Sequence, residues 1–307
     1  MTPTHPIPWR LAQATAVFVL LALTGAFVAG RRDVLSIFWA VVVPLLPAVF
    51  LAVPMLWRNL CPLATLNHLT GDRVGTTVPA ARMSRTLEWL GIGLLFGLVP
   101  LRHLLLNTIP LAMVVLIVVI GALTLVAGMV WPVRAGFCNG LCPVRPVETL
   151  YGQRPFATLP RARCQPCTLC VERGCLDLWE GKAVAQLLGQ DRRTLAWLTQ
   201  PFGVFTIAFP GLVLGYFLTA DGDPWVTVYG MTLGLAAGSA ILLGSLVALT
   251  RLPRRTTTMV LGALAFGLYY WFAAPAFAEA VHLPGGPWPV RGTAAILLLG
   301  WVRPHGE

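Results

Sequence analysis

The sequence predicts an all-α, polytopic transmembrane helical bundle of seven to eight spans with a cytoplasmic ferredoxin-like cysteine loop. Three observations predict it. Of 307 residues, 57% are hydrophobic and only 11% charged, with a mean hydropathy of +0.75, whereas a soluble domain carries about 25% charged residues. Apolar runs long enough to cross a bilayer recur along the whole length. Six of the seven cysteines fall between residues 138 and 175, so the redox- or metal-competent thiols are concentrated in one connection between spans.

The spans are expected at roughly 11–30, 34–56, 86–106, 108–131, 197–219, 225–249 and 257–281. A further apolar segment at 290–302 is shorter than the ~20 residues a spanning helix needs and reads as re-entrant, interfacial or packed inside the bundle. The first segment has Arg10, an apolar run and a small-residue end at Ala29-Gly30, and in a polytopic chain it reads as an uncleaved first span. The third and fourth spans are joined by a tight turn near Asn107-Thr108. Three parts follow: a four-helix part at 1–131 with a Cys-Pro elbow near 57–71, a cysteine loop at 132–196, and C-terminal helices at 197–307.

Orientation comes from the arginines. With the N-terminus inside, the loops at 57–85, 132–196 and 250–256 are cytoplasmic, and 18 of the 22 basic residues lie inside, counting Arg303 if the last segment crosses. Only Arg31, Arg32, Arg102 and Arg291 fall outside, along with Asp221 and Asp223. The positive-inside rule supports this orientation. It places the cysteines where thiols stay reduced, which disfavours disulfides. The net charge of +10 reports topology and anionic lipid headgroups, not nucleic acid.

An internal repeat accompanies the elbows. Trp57-Arg58-Asn59-Leu60-Cys61-Pro62 closes the second span, and Cys138-Asn139-Gly140-Leu141-Cys142-Pro143 follows the fourth. A leucine comes eight residues after each Leu-Cys-Pro cysteine (Leu69, Leu150) and a glycine ten after (Gly71, Gly152). The first four spans therefore read as two helical hairpins, each ending in a Leu-Cys-Pro elbow at the cytoplasmic face.

The chemistry lies in the cysteine spacing. Cys138 and Cys142 form C-x3-C-P; Cys164, Cys167, Cys170 and Cys175 form C-x2-C-x2-C-x4-C. A cubane iron–sulfur cluster takes four thiolates, and a run on a two-residue pitch supplies its first three corners. Two wirings are open. In one, Cys142 completes a cluster with Cys164, Cys167 and Cys170, leaving Cys61, Cys138 and Cys175 for three corners of a second. In the other, Cys164, Cys167, Cys170 and Cys175 close one cluster alone. Seven thiols cannot ligate two full cubanes, so a second cluster needs a ligand such as Asp177 or His68, an open site or a three-iron core. Zinc also accepts four thiolates at C-x2-C spacing, but its structural sites pair two knuckles across a gap.

Other residues exclude functions. Acidic residues are nearly absent from the spans, which disfavours an ion pump. No paired histidines lie within spans to hold a haem. Glu279, His103 and His282 read mainly as polar caps and secondarily as the lining of an outer quinone pocket. Arg134, Arg145, Arg161, Arg163 and Arg173 surround the cysteines, where cations meet lipid phosphate, raise a cluster's potential or steer an acidic partner. Gly230-x3-Gly234-x3-Gly238 reads as close packing within the bundle.

Over about residues 54–180 the chain resembles the polyferredoxin-like [4Fe-4S] membrane family. That family includes the quinol-dehydrogenase membrane subunit of the periplasmic nitrate reductase system, the nitrous oxide reductase regulator and the iron–sulfur protein associated with cbb3 oxidase assembly. The resemblance rests on Cys138, Cys142-Pro143, Cys164, Cys167, Cys170 and Cys61-Pro62. The chain departs from the pattern at Trp57, where the first elbow lacks its leading cysteine, and in the four residues before Cys175. The resemblance implies a bacterial cytoplasmic-membrane protein holding one [4Fe-4S] cluster, with a second conceivable. It also implies electron relay from a quinol or cytosolic donor to a membrane or extracytoplasmic redox partner. The competing class is a non-catalytic assembly, scaffold or redox-sensing subunit. A transporter-like bundle with a structural zinc loop is the third.

Overall fold

A computed structural model describes residues 7–74, 81–130, 137–157 and 195–302. Among them every regular element is helical. In chain order these are α1 (Ile7–Val28), α2 (Arg32–Ala52), α3 (Pro54–Leu60), α4 (Pro62–Val74), α5 (Ala81–Leu101), α6 (Pro110–Val130), α7 (Arg145–Tyr151), α8 (Pro201–Phe217), α9 (Trp225–Thr250), α10 (Arg254–Ala280) and α11 (Trp288–Val302). Six helices, α1, α2, α5, α6, α9 and α10, are long and apolar enough to cross a membrane. The helices α8 and α11 are shorter, at 17 and 15 residues.

The short α8 is nonetheless the centre of the bundle. Thirteen of its residues are buried, and its rings Phe205 and Phe209 stack at 4.7 Å. It lies against α9 through its own glycines: a Cβ at Gly211 would overlap the Leu235 carbonyl, and one at Gly215 would come within 2.6 Å of Thr232 Cα. Ser239 Oγ on α9 donates to the Ile207 carbonyl at 2.8 Å. The expected packing ladder is thus misplaced. Gly230, Gly234 and Gly238 have nothing within 4 Å, so that ridge of α9 faces outward and the close approach is supplied by α8. The segment at 290–302 is the helix α11, whose Trp288 meets Trp271 of α10. Its Trp301 is fully buried against Gly262 of α10 and Leu150 of α7, so α11 runs back antiparallel along α10.

The stretch after the second span, expected as a loop, holds two helices. Pro54 and Pro62 each stand at a helix start, where the missing N–H costs nothing. Polar α4 lies on the end of α6: Asn67 Nδ2 donates to the Thr124 carbonyl at 3.0 Å and Thr70 Oγ1 to the Leu125 carbonyl at 3.1 Å. Gly128 leaves room for both, since a Cβ there would overlap Thr70 Oγ1.

The second span is irregular for identifiable reasons. Phe38–Val42 forms a π turn, and Pro47 sits inside the following α-helical part, where its ring displaces the carbonyl one turn back. The Tyr270 hydroxyl of α10 donates to the Pro44 carbonyl at 2.5 Å and accepts from the Ala48 N–H at 3.2 Å. It is spliced into one helical hydrogen bond. Tyr270→Phe should lower stability by ~1–3 kcal/mol, because two buried backbone groups lose their partner. Thermal unfolding of the detergent-solubilised protein measures this.

Candidate functional site

The two Leu-Cys-Pro elbows meet in space. Cys61 follows α3 and caps α4; Cys142 follows a 3-10 turn at Phe137–Asn139 and precedes α7. Each sulfur faces the same pair of backbone N–H groups in its own copy. For Cys61 they belong to Leu63 and Ala64, and for Cys142 to Val144 and Arg145. In both cases these are the second and third residues onward; at Cys61, which directly precedes α4, this is the N-cap arrangement. The short sequence repeat is therefore a repeat of local geometry.

The two thiols are also close enough to feel each other's charge. Burial pushes Cys61 up to about 12, with Cys142 adding to the rise and the Ala64 N–H opposing it. Burial likewise pushes Cys142 up to about 11, against the N–H groups of Val144 and Arg145. Left to themselves both stay protonated at neutral pH, so any metal bound there would have to displace protons.

Charge pairs tie the elbows to the bundle. Arg58 of the first elbow meets Glu148 of α7 at 2.5 Å, with side-chain exposures of 11% and 7%. Arg145, beside Cys142, bridges Glu88 of α5 at 3.1 Å. The second elbow lies directly on α5, because a Cβ at Gly91 would come within 2.5 Å of the Gly140 carbonyl. Next to it a small cleft opens between Glu88, Arg145, Gln200 and Arg254. Arg254 is buried there, with its guanidinium over the Trp197 ring.

The predicted ligands divide as follows. Cys61 and Cys142 are brought together. Cys138 lies in the 3-10 turn ahead of Cys142, whose N–H bonds the Phe137 carbonyl at 2.9 Å. All three are free of disulfides. Cys164, Cys167, Cys170, Cys175 and Asp177 lie outside the described residues. Among the described residues no three His, Cys, Asp or Glu side chains gather closely enough to hold a metal ion. The elbows alone therefore do not fit a cubane, which would depend on the run at 164–175.

At the opposite end of the bundle His103 is buried but does not join His282 and Glu279. Its Nδ1 lies 2.6 Å from Asp221 Oδ1 and its Nε2 2.9 Å from the Tyr216 carbonyl, with its ring stacked on Tyr216. His282 instead takes a left-handed conformation just past the end of α10, its N–H bonded to the Glu279 carbonyl. Asp221, noted in the sequence only for orientation, and Arg102 are the charged residues that line the cavity there. Compared with known proteins, the chain matches no family model, no curated protein and no solved structure.

Proposed function

We propose that the chain is a membrane-bound iron–sulfur electron-transfer protein. It would relay single electrons at the cytoplasmic face between a quinol or cytosolic donor and a membrane or extracytoplasmic redox partner. The observation that carries this reading is the C-x2-C-x2-C pitch of Cys164, Cys167 and Cys170, a cubane spacing, in the connection that leaves the paired elbows. When bound, such a cluster accepts and gives up one electron at a time. The fold supplies a rigid platform for it. The Cys61 and Cys142 elbows are tied down by the Arg58–Glu148 pair, and the Arg145–Glu88 pair fastens the second elbow to α5. In this reading α8 and α11 complete an eight-helix bundle, with the N-terminus and cysteine loop in the cytoplasm of a bacterial inner membrane.

Cys164→Ser in cells tests it against the scaffold reading. The relay predicts that a dependent redox enzyme keeps its abundance and loses its turnover with quinol. Loss of that enzyme's abundance at unchanged specific activity would mean a scaffold.

A further inference from the structure

The cavity at the end opposite the cysteines has a built polar head and an apolar floor. It encloses about 230 Å³. On α2 its wall descends from Ser36 through Trp39 and Ala40 to Pro44. At 1.5 Å per residue that is a depth of roughly 12 Å. The wall on α10, from Ala276 to Tyr269, has a similar length. Two π turns, Phe38–Val42 and Arg102–Leu106, flank the cavity. Each swells its helix by one residue and presents a large side chain inward, Trp39 from one and Arg102 from the other.

The charge balance identifies the ligand. The Arg102 guanidinium lies 3.8 Å from the Trp39 ring centroid and 4.7 Å from that of Tyr216. Its Nε reaches only Asn107 Oδ1, at 3.4 Å. Among the described residues no carboxylate bridges it. Asp221 is the nearest candidate, and it is already engaged. It accepts from Asn107 Nδ2 at 2.8 Å and contacts His103 Nδ1 at 2.6 Å. His103 Nε2 faces a carbonyl, which can only accept, so Nε2 bears a proton. Asp221 is thus held by His103 and Asn107, and Arg102 is the one cation lining the cavity, with no ion-pair partner among the described residues.

We infer that this cavity binds an oxyanion-headed amphiphile: a phosphate or carboxylate held by Arg102, with its apolar body running down toward Pro44 and Ala273. Its two sources are an anionic lipid of the adjacent leaflet and a water-soluble amphipathic acid. A quinone matches the apolar floor but is neutral and leaves the charge of Arg102 unanswered.

Full-length protein in a neutral detergent is titrated with dodecyl phosphate, dodecanoate and dodecanol, and bound ligand per chain is counted by native mass spectrometry. The two acids should bind once per chain, at least tenfold more tightly than the alcohol, as a charge-assisted contact requires. Arg102→Gln should abolish that discrimination and Arg102→Lys retain part of it. Ala40→Phe, which fills the apolar floor and leaves Arg102 in place, should weaken all three. Arg291→Gln, at an exposed arginine stacked on Trp271 and Trp288, should change nothing. Displacement of dodecyl phosphate by dioleoylphosphatidylglycerol marks the lipid source; no displacement marks the soluble one. Equal binding of acid and alcohol would overturn the inference. So would unchanged discrimination in folded Arg102→Gln, an equal loss in Arg291→Gln, or decylubiquinone binding more tightly than the acids.

Discussion

Serine at Cys164, Cys167 or Cys170 is expected to bring the iron content of the purified protein to background. Each replacement removes one corner thiolate that both wirings share. Cys175 and Cys142 then separate the two wirings. Cys142 is held in the second elbow against α5 and within electrostatic reach of Cys61. Its sulfur already faces the Val144 and Arg145 N–H groups. The expected outcome is therefore that Cys175→Ser loses its iron while Cys142→Ser and Cys61→Ser retain about four irons per chain, the content of one cubane. Iron assay on anaerobically purified variants decides it. Loss of iron in Cys142→Ser with retention in Cys175→Ser would assign the cluster to the other wiring.

Arg58→Gln carries the largest expected effect on stability. Arg58 and Glu148 are both nearly enclosed, and they join the two copies of the elbow repeat. Removing the guanidinium leaves a carboxylate with no counter-charge beside two buried thiols, which costs ~3–5 kcal/mol. In a chain of this size that corresponds to a fall in Tm of roughly 10 °C. The double variant Arg58→Met with Glu148→Leu should recover most of the loss, because apolar groups of similar volume replace a buried pair at little cost. Thermal unfolding of the three variants in one detergent measures both effects. If Arg58→Gln unfolds with the wild type, the pair does not lock the elbows.

Much of this architecture was legible in the chain. The two Leu-Cys-Pro segments identified the elbows because a proline after the cysteine ends one element and precedes the next helix, and local geometry follows local sequence. Hydropathy located the helices for the same reason. What stayed hidden depends on partners far away in the chain. The polar helix α4 reads as a loop because Asn67 and Thr70 are satisfied only by carbonyls of α6, more than 50 residues on. His103 and Asp221 are 118 residues apart, so nothing near either one marks the pair. Glycine spacing shows that a helix can be approached closely but not from which side. Gly230, Gly234 and Gly238 have the regular pitch, whereas Gly211 and Gly215 make the contact. The Tyr270 hydroxyl spliced into α2 joins residues 226 apart and has no sequence signature.

The architecture also bounds the electron path. The paired elbows and the anion-binding cavity lie at opposite ends of helices such as α2, whose Ser36 and Pro44 line the cavity and whose last residue, Ala52, leads through α3 to the first elbow. A bilayer core is ~30 Å thick. Clusters confined to the elbow face would therefore need a partner subunit or second cofactor to pass electrons across.

The central claim is that the cysteine run holds an iron–sulfur cluster. It is tested most directly by measuring iron, acid-labile sulfide and zinc per chain after anaerobic purification, with EPR spectra recorded after dithionite reduction. About four irons and four sulfides with a reduced-cluster signal are the predicted result, and roughly seven or eight irons would bring the elbow cysteines into a second cluster. Zinc without iron or sulfide would contradict the account and leave a structural loop on a helical membrane bundle.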